Sequence, residues 1–185
     1  MPLLVAIVLA AGVAGCSTAA ASFSPTGPCT VDGREPGAYP TLEALVPKHF
    51  DGRSPTTLDS GRNCTAENLG TLTGHNVTEL RFAGATWQDT DSNGITLAVF
   101  QAPGLDPSWI GEWYEASARA GQQTTGFTPT RPTIDGRQAY RLDLLNDETP
   151  QTVIVWPSAD GSVTQVVLAA GESEARIQLA IHEFP

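Results

Sequence analysis

The chain has 185 residues, with 10 Lys and Arg against 20 Asp and Glu and a formal net charge of −10. That length suits one domain with a leader or tail, and a 41% hydrophobic fraction is enough for a folded core. The acidic balance argues against a nucleic-acid partner, which needs clustered Lys and Arg, and 18 Gly with 14 Pro argue against a long helical bundle.

The first element is an apolar run from Leu3 to Gly15. It falls short of the about 20 residues that span a bilayer as a helix, but suits the core of a secretory signal. It closes on Val13-Ala14-Gly15-Cys16, which resembles a bacterial lipobox: small residues before the cut, then a Cys whose thiol accepts a diacylglyceryl group. The resemblance implies a lipoprotein signal peptide over residues 1–15 and a lipid on Cys16. It also implies attachment to the cell membrane on its extracytoplasmic face. The leader departs from the usual pattern in one respect, since the first basic residue is Arg34. Residues 16–28 begin with small side chains and read as a lipid-anchored flexible tether. Residues 29–185 are then expected to form a single α+β extracytoplasmic domain.

With Cys16 lipidated, Cys29 and Cys64 remain as an even pair in an exported chain, and a disulfide between them is expected. Two buried thiols are the alternative. Residues 26–63 are dense in Gly-Pro, Asp-Gly and Pro-Gly pairs and read as an irregular Cys-bridged lobe. Within it Thr41 is expected to cap a short helix carrying Leu42, Leu45 and Val46, and Thr65 a second one closing near Gly74.

From Thr78 the pattern alternates. Leu80 to Trp87 reads as a strand with an irregularity at Gly84, followed by a hairpin turn at Asn93-Gly94 and a strand from Ile95 to Ala102. The clearest helix follows: Asp106 as cap, Pro107 in the first turn, Gly121 at the end. Trp109, Trp113, Ala116 and Ala120 share one of its faces, which is expected to meet the sheet. Strands are expected near 124–130, 137–145, 151–157 and 162–169, with a closing helix from Glu172 to Phe184. Val153-Ile154-Val155-Trp156 and Val166-Val167-Leu168 are continuously apolar, which places their strands centrally with both faces covered. The fold class is therefore α+β: an antiparallel sheet of five to six strands packed with helices, plus the N-terminal lobe.

Chemistry-bearing motifs are sparse. Asp89-Thr90-Asp91-Ser92-Asn93-Gly94 matches the first half of a calcium loop, but the twelfth position, where a bidentate Glu belongs, is Phe100. A polar hairpin turn is the simpler reading, with Asp89, Asp91 and Asn93 as a weak calcium alternative. His49, His75 and His182 lack zinc-site spacing, and neither G-x-S-x-G nor S-x-x-K occurs. No cofactor is expected. The aromatics are the remaining lead: Trp109, Trp113, Tyr114 and Tyr140 either fill the core or line an apolar pocket between helix and sheet.

The distal half resembles small α+β domains of bacterial envelope lipoproteins, including the Mog1/PsbP-like group. The likeness consists of a strand, the turn at Gly136, the apolar strand ending at Trp156, a glycine turn, a second apolar strand and a helix ending at Phe184. It bears on fold rather than activity. The expected role is a non-enzymatic binding or interaction module for a protein partner or small apolar ligand. A cell-envelope hydrolase with dispersed catalytic residues and a structural envelope-assembly protein are the alternatives. Mass spectrometry of the protein from its native host should find a diacylglyceryl group on Cys16; an unmodified Cys16 would overturn the anchor.

Overall fold

Period-two alternation in short β-branched runs builds one eight-stranded antiparallel sheet, so every turn in its backbone path is decided by which face each side chain must reach. The computed structural model describes residues 22–89 and 93–184. The leader, residues 16–21 of the expected tether with Cys16 among them, and Asp91 lie outside the described residues. In chain order the elements are β1 (Gly33–Glu35), α1 (Pro40–Glu43), β2 (Thr57–Asn63), α2 (Ala66–Leu69), a 3-10 turn (Gly70–His75), β3 (Leu80–Gln88) and β4 (Gly94–Gln101). They continue with α3 (Pro107–Ala120), β5 (Thr124–Thr130), β6 (Thr133–Ile134), β7 (Arg137–Gln138), β8 (Tyr140–Asn146), β9 (Thr149–Pro157), β10 (Thr164–Ala170) and α4 (Glu174–His182). The sheet order is β1-β2-β3-β4-β10-β9-β8-β5, with β6 and β7 as a separate two-stranded ribbon.

Both faces of this sheet are covered by helices. Ala83, Ala85 and Trp87 of β3, Ile95, Leu97 and Val99 of β4 and Ile154 and Trp156 of β9 pack under α1 and α4. The alternate residues, among them Leu80, Phe100, Val155 and Val166, pack under α3 and the α2 segment. β9 and β10 sit in the interior of the sheet, as their continuous apolar runs predict. After β4 the chain crosses the sheet through α3 to the β5 edge, then returns by hairpins from β8 through β10 to pair with β4.

The sheet has eight strands rather than five to six because the lobe read as irregular contributes β1 and β2. β2 hides from a hydrophobicity pattern because its inward positions are polar: Ser60 is fully buried and Arg62 is 3% exposed. The Ser60 hydroxyl accepts from the Tyr39 N–H at 2.7 Å and donates to Glu43 at 2.8 Å, so α1 starts at Pro40 against β2 instead of on a Thr41 cap. β1 approaches so closely that a Cβ on Gly61 would lie 2.3 Å from the Gly33 carbonyl. The register through Gly84 is unbroken on both sides; the sheet's irregularity falls in β5 between Thr125 and Thr128. Thr65 caps α2 as expected, but the helix turns into the 3-10 segment at Gly70, whose φ of 51° ends α-helical geometry.

Residues 24–28, expected within a flexible tether, dock on the domain. Arg62 donates to the carbonyls of Gly27, Ser24 and Pro28 at 2.8–2.9 Å, because a buried guanidinium must have its donors matched. The Cys29–Cys64 disulfide follows immediately. Asp32 closes the unit by accepting from the Cys64 N–H, the Thr65 N–H and hydroxyl and the Asn68 amide. Burial pushes the Asp32 carboxyl up, but these donors outweigh it and hold the group at about 2. Its folded value lies below the unfolded one, so the stabilisation is complete above about pH 4 and is lost as pH falls through 4 toward 2. Urea midpoints recorded between pH 5 and pH 2 should therefore fall more steeply for the native chain than for Asp32→Asn. Removing the bridge in a Cys29→Ser, Cys64→Ser variant should cost about 4 kcal/mol, from the loop it closes in the unfolded chain.

Candidate functional site

The site is built by the way α3 lies on the sheet. Asp106 caps the helix, its carboxylate accepting from the Ser108 N–H and hydroxyl, both at 2.8 Å, a contribution of about 1 kcal/mol. The sheet-facing stripe is Ile110, Gly111, Tyr114 and Ala118 rather than the expected Trp109, Trp113, Ala116 and Ala120. The N-terminal half is drawn tight against β8, where a Cβ on Gly111 would meet the Tyr140 ring at 2.5 Å. Both tryptophans lie to the side of that stripe, against α2 and the 3-10 turn, with Trp113 also meeting Phe100 of β4 edge to face at 6.1 Å. The Trp109 ring stacks on His75 at 4.2 Å, and the Trp113 indole donates to the Asn68 carbonyl at 3.2 Å.

Beyond Gly111 a groove of about 430 Å³ opens between the C-terminal half of the helix and the sheet. Leu144, Val153 and Leu168 form the floor, with Ala118 and Tyr114 as the helical wall. Polar groups enter at its margins, including Gln88, Gln151 and the paired Thr86 and Thr96 hydroxyls 2.9 Å apart. No charged side chain lines it among the described residues, although the chain carries ten basic and twenty acidic groups. Burial pushes the Tyr114 phenol up, and its hydroxyl makes no hydrogen bond among the described residues. It is a neutral donor free for a ligand.

The other aromatics of the predicted set are committed to the protein. The Tyr140 hydroxyl donates to Glu115, whose other carboxylate oxygen is held by Arg119 at 2.6 Å, while Arg131 lies 4.2 Å over the Tyr140 ring. Burial first, then the Glu115 carboxylate, pushes the Tyr140 phenol up; the same hydrogen bond, with Arg119, holds Glu115 low. Tyr140 lines a separate cavity of about 320 Å³ with Arg131 and Ser108. Trp113 borders a cleft of about 270 Å³ beside Gly70. Of the four residues, Tyr114 alone lines the uncharged groove.

The calcium half-loop meets different chemistry. One Asp89 oxygen pairs with Arg53 at 2.7 Å and the other with Arg176 at 2.9 Å, so two guanidinium groups occupy the carboxylate. Arg53 holds the Asp89 carboxyl low. Glu172, its side chain 6% exposed, lies 3.3 Å from Arg176, and burial pushes its carboxyl up. Asn93 fits beside Gly171, where a Cβ would lie 2.1 Å from the amide oxygen. Among the described residues no group of three or more His, Cys, Asp or Glu is placed to hold a metal ion. His49 and His182 are exposed, and neither lines the groove.

A scan of protein-family models finds no match to this chain, and neither does a search of curated proteins. The groove therefore has to be read from its own chemistry. Sequence reasoning located the helix and sheet that form it but missed its floor, because Leu144, Val153 and Leu168 come from three strands brought together by pairing. The close approach at Gly111 has a direct consequence: Gly111→Ala should destabilise the fold by about 1–3 kcal/mol in urea unfolding, through overpacking against Tyr140.

Proposed function

We propose that this protein is a lipid-anchored envelope protein, attached through Cys16 on the extracytoplasmic face, whose domain is a non-enzymatic module that binds a small uncharged apolar ligand. The observation that carries this reading is the groove under the C-terminal half of α3. Its floor is aliphatic, its margins offer neutral hydrogen-bonding groups, and no charge lines it among the described residues. A site of that kind favours a ligand with a long apolar body and hydroxyl or amide ends, since an ion would lose its hydration there without a counter-charge. A volume of about 430 Å³ falls within the range of small-molecule sites. The lipobox-like Val13-Ala14-Gly15-Cys16 and the Cys29–Cys64 disulfide both support an exported chain.

The test is native mass spectrometry of the protein from its host, weighed before and after denaturation. The native species should carry the extra mass of an uncharged lipophilic compound, lost on denaturation. An Ala118→Trp variant, which fills the groove from the helix side, should come out bare with an unchanged circular dichroism spectrum. A compound that stays bound to a folded Ala118→Trp protein would overturn the groove as its site, and a bare native protein that also fails to take up lipid extract from the host would overturn the function.

A further inference from the structure

We propose that a second cavity, at the opposite end of the sheet, binds a single-chain amphiphile carrying one negative charge, such as a fatty acid. This cavity measures about 550 Å³ and lies between the β4–α3 connection and the β9–β10 turn. Phe100, Leu105, Pro157 and Val163 supply apolar walls, and Glu79 and Arg81 are the charged residues among those lining it. The two ends of the sheet thus differ in kind. Among the described residues no charged side chain lines the groove, whereas the second cavity holds an ion cluster at its rim.

That cluster has an excess of positive charge. A single carboxylate oxygen of Glu79 accepts from Arg81 Nε at 2.8 Å and lies 3.5 Å from Arg62 Nη1. One carboxylate therefore serves two guanidinium groups, in a chain whose net charge is −10. Arg62 is buried and spends its terminal nitrogens on the Ser24, Gly27 and Pro28 carbonyls. Arg81 does not. Its Nε is engaged, its side chain is 45% exposed, and its two terminal nitrogens make no hydrogen bond among the described residues. The Tyr39 ring lies 5.2 Å from the guanidinium carbon. A planar guanidinium with both terminal nitrogens free matches a carboxylate in a two-point contact. Leu105 and Pro157 behind it offer apolar contact to the first carbons of a chain, and the volume is in the range of small-molecule sites.

The placement of this cavity adds a source for the ligand, and here the inference rests on the lipidated Cys16 proposed above. Arg62 and Arg81 are direct cross-strand partners, about 5 Å apart at Cα. The docked N-terminal segment and the cavity rim are thus neighbours. Seven peptide links separate Cys16 from Phe23, and they reach at most about 25 Å when fully extended. A lipid on Cys16 would hold Phe23 within that distance of the bilayer surface, with the cavity rim beside the docked segment, and single-chain amphiphiles partition at that surface.

The chain begun at Ser17 keeps every described contact, and binding is measured on it with cis-parinaric acid, its methyl ester and inorganic phosphate. The acid should bind at least roughly tenfold more tightly than the ester, the ratio expected when a charge-assisted contact is lost, and millimolar phosphate should not displace it. Arg81→Gln should weaken the acid roughly tenfold or more while leaving the ester unchanged. Ala102→Trp, which fills the cavity without touching the ion cluster, serves the same purpose if Arg81→Gln does not fold. Acid binding should survive Ala118→Trp, which closes the other groove; loss in that variant would overturn the assignment to this cavity. Equal affinity for acid and ester, or an unchanged affinity in both cavity variants, would overturn the proposal. Displacement by phosphatidylglycerol vesicles would overturn the single-chain assignment in favour of a membrane lipid headgroup. The anchor is read separately, from the mass of Cys16, so its failure would leave these results standing.

Discussion

A buried guanidinium organises the N-terminal third of this protein. Arg62 sits in β2 with 3% of its side chain exposed, and a charge in that position is stable only when its donors are matched. Three backbone carbonyls, from Ser24, Gly27 and Pro28, match its terminal nitrogens, Nε alone is left without a partner among the described residues, and Glu79 supplies the counter-charge at 3.5 Å. The consequence runs in both directions along the chain. The segment before Cys29 is held as part of the domain, and β2 is fixed between β1 and β3. The disulfide and the Asp32 hydrogen bonds then tie the same segment to the start of α2. Polar interactions, rather than a hydrophobic stripe, join this lobe to the sheet.

The rest of the sheet follows the opposite rule. Its central strands are aliphatic on both faces, and helices cover both. The packing is tightest where two large aromatics demand it. Trp87 is buried under α1 with its indole donating to the Arg53 carbonyl at 2.9 Å, and Trp156 meets Phe184 edge to face at 5.4 Å. On the other face α3 presses Gly111 against Tyr140 at one end and leaves a groove at the other. A straight helix lying across a twisted sheet cannot stay in contact along its whole length, and the gap falls where the helix carries Ser117 and Ala118.

The separation of charge along the sheet gives the two cavities different chemistry. Near β2 the Arg62–Glu79–Arg81 chain brings guanidinium groups to a cavity rim. At the far end the Arg53, Asp89 and Arg176 cluster lies beside β3 and α4, and none of its residues is among those lining the groove. In the second cluster two guanidinium groups share the Asp89 carboxylate, whereas in the first Arg81 is engaged through Nε alone.

By itself the sequence determined the elements whose signals are local. The Asp106 cap with Pro107 placed α3, the long apolar runs placed β9 and β10 inside the sheet, and the even pair of cysteines announced the Cys29–Cys64 bridge. Each rests on chemistry within a few residues or on a count. Tertiary structure alone decided what depends on partners distant in the chain. β2 is a strand because Ser60 and Arg62 find their partners in α1 and the N-terminal segment, so no apolar alternation marks it. The working face of α3 is one residue removed from its tryptophans because the α2 segment offers Trp109 and Trp113 a better surface than the sheet does. A helical pattern reports which residues share a face, but the direction of that face is set by whatever else the folded chain brings alongside.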